Sequence, residues 1–232
     1  MKMPKKWMMT QEWHDLVFMH WPVDRNEMRK YVPAELEIDI YDGKAWLGLV
    51  FFKAKKTRPR FLPPVPGVSS FLELNVRTYV TYKRQSGVYF FSLDADHPLA
   101  VKAARLGDFL PYRHAQMAMS TTGKRCTFKS RRTNKGSFPE SLELSYRVTS
   151  HPVDKTELES WLTERYCLWT KPKGQLLRLD IEHSPWKLQY IQGEIENNTM
   201  ASFLSKNLHL EKPLTHYSKR KKVRFFPPVP EK

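Results

Sequence analysis

Glu73, Asn75, Arg77 and Tyr79 occupy every second position within residues 70–82. An acid, an amide, a guanidinium and a phenol in a row can exchange a proton, fork onto a carboxylate and donate to a carbonyl oxygen. The positions between them carry Leu72, Leu74, Val76, Thr78 and Val80, so the stretch reads as a strand with one polar side. Alternate side chains on a strand lie about 6–7 Å apart, which separates Glu73 from Arg77 by about 13 Å, too far for them to pair. Two readings of the polar side stay open: the wall of a cavity, or the wet side of a half-buried sheet.

A second dense segment is Tyr112-Arg113-His114, which follows Pro111. Arg113 suits a carboxylate, His114 suits proton transfer near neutral pH, and Tyr112 suits a hydrogen bond to a carbonyl or enolate oxygen. The competing reading is a surface loop that feeds the next strand. Glu164-Arg165 and Glu182-His183 mark two more polar corners, each as compatible with structure as with binding. The eight histidines are scattered, and His20, His114 and His183 are the ones that could converge in space. The chain has no phosphate-binding glycine loop, dinucleotide fingerprint, nucleophile elbow or histidine pair at metal-ligand spacing, so neither a cofactor nor a metal is expected.

These residues need a sheet to bring them together. Asp24, with Glu27 three residues later, predicts a capped helix that stops before Pro33. Residues 36–40 alternate, Asp42-Gly43 predicts a tight turn, and residues 45–52 return as an apolar strand. Residues 58–67 are too proline-rich for a sheet interior and read as an extended loop. The strand at 70–82 then turns at Gln85-Ser86-Gly87 into a partner over 88–94. Helical spacing covers 97–106, with Gly107 as its stop, and a second helix covers 152–164 with Asp154 as its cap. Further strands are predicted at 115–121, 126–131, 141–148, 165–170, 176–183 and 188–195. Nine or ten strands without regular intervening helices describe a mainly β protein with an antiparallel sheet or barrel.

The chain has 232 residues and a formal charge of +15, with positive clusters at 53–60, 124–132 and 219–224. Such clusters bind phosphates or anionic surfaces, or else they form solvated loops and aggregation-resistant edge strands. No zinc-finger spacing or ribonucleoprotein aromatic pattern accompanies them. Cys126 and Cys167 are the two cysteines. They fit free thiols in a reducing compartment, and the basic start lacks the apolar run of a signal peptide. A cytoplasmic protein is therefore expected.

Six blocks resemble the signatures of the YqjF-like bacterial proteins, a family of unknown function: residues 16–22 (LVFMHWP), 71–80 (FLELNVRTYV), 88–93 (VYFFSL), 110–117 (LPYRHAQM), 163–169 (TERYCLW) and 182–189 (EHSPWKLQ). That family is similar in fold to acetoacetate decarboxylase, which implies an antiparallel β-barrel or cone with a few short helices. One domain over 12–218 is expected, between an N-terminal tail (1–11) and a basic C-terminal tail (219–232). Residues 28–39 resemble a segment near the start of the decarboxylase, and Glu73 falls where that enzyme has an acidic active-site residue. Pro111-Tyr112-Arg113 stands where it has Pro-Lys-Lys, the first lysine forming a Schiff base. Tyr112 cannot form an imine, so decarboxylation by that route is not implied. The resemblance implies a small organic acid or keto compound in the cone. Arg77, Arg113, Asn75 and His20 would bind it, with Glu73, Tyr112 and His114 as catalytic groups in any lyase- or hydrolase-like reaction. The alternative is a non-enzymatic protein whose basic surface binds nucleic acid or anionic lipid.

Overall fold

The computed structural model describes residues 6–64, 69–98, 101, 109–133, 139–205 and 207–231. Its centre is a run of long strands. The fifteen-residue β1 (Met9–Val23) lies antiparallel between β12 (Leu214–Phe225) and β3 (Ala45–Pro59). β3 pairs with β4 (Phe71–Tyr82), which pairs with β5 (Gln85–Ala95). β6 (Tyr112–Thr122), β7 (Arg125–Arg132), β8 (Ser141–Val148) and β11 (Gln189–Asn198) then lead from β5 back to β12 and close a nine-stranded barrel.

The sheet also closes a second way. β9 (Cys167–Thr170) pairs with the start of β5, and β10 (Leu177–Glu182) joins β9 to the end of β12. Two-residue strands β2 (Glu37–Ile38) and β13 (Val229–Pro230) pair with β4 and β10. The barrel is antiparallel except where β5 meets β6 and β9, which run parallel to it. A notch is left along β5 between these two neighbours.

Because each closure covers one side, both faces of β1, β3 and β4 are buried. On one side Val17, Met19, Leu49, Phe51, Leu74 and Val76 pack with Phe128, Leu142 and Tyr146, and Phe51 stacks on Phe128 at 4.0 Å. On the other, Leu16, Phe18, Val50, Phe52 and Phe71 meet Trp186 and Leu188, with Trp186 edge-on to Phe18 at 5.0 Å. Each such side chain taken from water is worth about 1.5–3 kcal/mol, so the double closure stabilises the sheet by burying both of its faces.

Several local expectations change. Asp24 caps α1 (Arg25–Arg29) by accepting from the Glu27 N–H, but the Glu27 carboxylate turns away and accepts from the Ser205 N–H. The turn at Asp42-Gly43 is present with φ of 50° and 72°, yet β2, which precedes it, pairs with β4 rather than β3. The β4–β5 turn falls at Lys83-Arg84, both left-handed, and Gly87 lies inside β5. A Cβ at Gly87 would stand 2.6 Å from the Cys167 carbonyl oxygen, so this glycine lets β9 approach. The helix α2 (Glu157–Thr163) is capped by Thr156, not Asp154, through a reciprocal box with Glu159. Most of the helix predicted over 97–106 falls outside the described residues. β3 runs on to Pro59, two residues into the predicted loop. Residues 219–225, expected as a tail, are strand, and 220–225 pair with residues 9–14 of β1.

Candidate functional site

The polar side of β4 is dry. Glu73, Asn75 and Tyr79 are 6 %, 4 % and 0 % exposed, so this is not the wet side of a half-buried sheet. Register explains which groups meet. His20 of β1, Gly48 of β3 and Arg77 of β4 stand abreast, as do Phe18, Val50 and Asn75 one step along. Gly48 stands in a crowded spot: a Cβ there would lie 3.2 Å from Arg77 Cγ and 3.3 Å from both His20 Cδ2 and Tyr79 Oη. The Arg77 guanidinium lies over the rings of Phe18 (5.8 Å) and Tyr79 (5.7 Å).

β6 adds Tyr112 to this side. Its hydroxyl donates to Glu73 Oε2 at 3.0 Å. Burial pushes the Glu73 carboxyl up to about 7, against the hydrogen bonds from Tyr112 and Asn75 that favour its ionised form. Burial and the adjoining Glu73 carboxyl also hold the Tyr112 phenol well above its usual range, so it stays protonated. Burial, then the charge of Arg77, then His216, keep the His20 imidazole neutral.

Several polar atoms here are buried with no protein partner: both ring nitrogens of His20, Asn75 Oδ1, Tyr79 Oη, and Nε and Nη2 of Arg77. The last two form the side-on edge of the guanidinium, the edge that takes a carboxylate with two parallel hydrogen bonds. Buried polar groups are normally satisfied, so this concentration of unpartnered atoms sets the row apart from an ordinary core.

The remaining candidates are placed differently. Arg113 is paired with Asp94 across the parallel join, on the opposite face of the sheet from Glu73; burial raises the Asp94 carboxyl, against Arg132 chiefly and Arg113 to a lesser degree. Strand alternation forces this: consecutive residues cannot share a side. His114 sits half-buried at the rim, Nδ1 2.9 Å from the Thr133 hydroxyl. It does not converge with His20 or His183. His183 does approach: it packs on Trp186 at 4.7 Å and feels the Arg77 charge, while its Nδ1 donates to the Ser184 carbonyl at 2.9 Å.

Gly48 and Trp186 are site neighbours given no place among the candidates, whereas Tyr79, in the polar row, and His183, at a polar corner, were named without a role. Tyr79 was legible by alternation, and a lone glycine within an apolar strand was the available signal for Gly48. The notch beside β5 forms a groove of about 480 Å³ lined by Phe90, Phe91, Pro111, Tyr112, Arg113 and Lys171 among others. Tyr112 thus borders the groove and also reaches Glu73. Among the described residues no group of three or more His, Cys, Asp or Glu is placed to hold a metal ion.

Solved structures share this architecture. The enduracididine biosynthesis enzyme MppR, complexed with pyruvate, matches with a TM-score of 0.65 at 13 % identity, covering 99 % of this chain and 91 % of that one. An acetoacetate decarboxylase-like enzyme from Sphingomonas wittichii RW1 matches with a TM-score of 0.64 at 11 % identity, covering 98 % and 94 %. The fold is of the acetoacetate decarboxylase type. At the level of sequence, DUF2071, described as an uncharacterized conserved protein, matches residues 10–222. The uncharacterized protein YqjF of Bacillus subtilis (strain 168) is 44 % identical over 223 residues, 95 % of this chain and 91 % of that protein. The chain belongs to the DUF2071 family.

Proposed function

We propose that this chain binds a small organic acid bearing a keto group against the polar side of β4 and acts on it by proton transfer. The observation that carries the reading is the unpartnered Nε–Nη2 edge of Arg77, buried in the same row as a carboxyl poised near neutrality. Arg77 takes the substrate carboxylate. Tyr112, held as a phenol, donates to the carbonyl oxygen, and Asn75 and His20 supply further polar contacts. Glu73, near the pKa best suited to both tasks at neutral pH, is the general acid or base. His114 and Arg113 take outer roles, Arg113 at the groove that leads to Tyr112. The reaction class is lyase- or hydrolase-like chemistry beside a carbonyl. With Tyr112 at the position matching the decarboxylase lysine, no imine forms there. The pyruvate held by MppR, a protein of the same fold, supports starting with 2-oxo acids.

A thermal-shift screen of pyruvate, acetoacetate and related acids tests this. A ligand at 100 times its Kd adds about 2.7 kcal/mol of stability. Arg77→Met is expected to abolish the shift while remaining folded, and Glu73→Gln to keep binding but lose turnover. If no small acid or ketone moves the wild-type transition, the reading is wrong.

A further inference from the structure

Two of the three basic clusters, far apart in sequence, are neighbours in the sheet. At its N-terminal end β1 lies between residues 53–58 of β3 and residues 220–224 of β12. The register sets three cross-strand rows with a cation on each outer strand: Lys53 and Arg220 flank His14, Lys55 and Lys222 flank Glu12, and Arg58 and Arg224 flank Thr10. Alternate residues of a strand are about 7 Å apart, so the rows form one continuous basic face. Glu12 is the carboxylate inside it. Burial alone would raise its pKa, but hydrogen bonds from His14, Arg220 and Lys56 outweigh this and hold it down to about 2. At the edge of the face Glu182 pairs with Arg224 at 3.3 Å, so two carboxylates stand against six cations and the face stays positive.

An independent feature adjoins this face. Where β3 ends, the Arg60 N–H donates to the Met8 carbonyl at 2.7 Å, and the Met8 N–H donates to the Phe225 carbonyl at 2.8 Å. Next to this junction Phe61 is 88 % exposed, Leu62 55 % and Met8 39 %. The Arg60 guanidinium lies over the rings of both Trp7 (5.1 Å) and Phe61 (4.7 Å). Large apolar side chains gathered at one exposed end are unusual, and a rim of cations narrows what they fit.

We propose that this end of the barrel docks on anionic lipid bilayers: Phe61, Leu62 and Met8 enter the headgroup layer while the basic face meets lipid phosphates and carboxylates. Apolar anchoring combined with a polybasic surface is the pairing that gives stable peripheral attachment. Single-stranded nucleic acid would use the cations and could stack on Phe61, but Leu62 and Met8 offer no π-face to a base. A second copy of the chain would bring two strongly positive ends together. The proposal uses none of the groups around Glu73 and Arg77, so it stands or falls separately from the small-molecule reading.

Co-sedimentation of the full chain with vesicles decides it. Vesicles of equal parts phosphatidylcholine and phosphatidylserine should bind the protein at low salt, and phosphatidylcholine alone should not. Phe61→Ser/Leu62→Ser is expected to weaken vesicle binding by at least about tenfold with unchanged thermal stability and unchanged binding to duplex DNA. Lys222→Glu/Arg224→Glu should weaken both. Three results would overturn the proposal: no sedimentation with the mixed vesicles, vesicle binding untouched by the double serine variant, or a double serine variant that instead converts a dimer to monomers.

Discussion

At the scale of single residues, the proton on Glu73 ties stability to pH on the way up to neutrality. Its carboxyl titrates at about 7 in the fold, against an ordinary value of 4.5. The folded state therefore keeps a proton that the unfolded chain releases. The stabilisation this represents is complete below about pH 4.5 and is lost as pH rises to about 7 and beyond. At 1.36 kcal/mol per unit the swing is about 3 kcal/mol. Glu73→Gln, which cannot ionise, removes it. In urea titrations the wild type should lose about 3 kcal/mol relative to this variant between pH 4 and pH 8. A constant difference across that range would mean the carboxyl is solvated and unsuited to the role given to it. Comparing the two proteins cancels Asp96, whose carboxyl burial also raises, while Asp94, which repels Glu73, is part of the difference measured.

Among the elements, β3 shows how tightly the site is fitted. Gly48 is the floor on which His20, Arg77 and Tyr79 meet, with less than ordinary contact distance left for a methyl group. Gly48→Ala should cost about 1–3 kcal/mol through overpacking, despite the better strand propensity of alanine. It should also abolish any ligand-induced thermal shift that the wild type shows. A variant as stable as wild type with its shift intact would show that the three side chains are free to move apart. Strand β1 shows a different constraint. Asp15 adopts φ 53°, and the pairing with β3 slips by one residue between His14 and Val17. Trp13 and Leu16 consequently face the same core, although three positions separate them. A bulge of this kind re-aims every side chain beyond it. That is why β1, and the partner β12 it needs, escaped a search for simple alternation.

For the molecule as a whole, β5 is the branch point of both closures, and a buried charge network holds it to β7. The Arg132 guanidinium donates to Asp94 at 2.9 and 3.1 Å and to Ser92 at 2.9 Å, and it also pairs with Glu140. All four side chains are buried. Two carboxylates without their guanidinium would be stranded in the interior, so Arg132→Met should destabilise by about 3–5 kcal/mol, read from urea denaturation at neutral pH. A loss below about 1 kcal/mol would show that water reaches the network. No helix among the described residues is long and apolar enough to cross a membrane.

Period-two alternation, the Asp42-Gly43 turn, the Asp24 cap and the family blocks were all legible in the residues themselves, because each depends on neighbours a few positions away. They were enough to indicate a mainly β barrel and to select Glu73, Asn75, Arg77, Tyr112 and His20. Alternation says which residues share a side of a strand, but not which side is dry. Dryness at β4 comes from Trp186, Leu188 and the second closure, elements that lie about a hundred residues further along. The same distance effect brought the clusters at 53–60 and 219–224 together across β1, whereas local alternation along β6 separated Arg113 from Tyr112. Local chemistry is written along the chain, whereas burial and adjacency arise from pairings between distant strands, and only the folded sheet decides those.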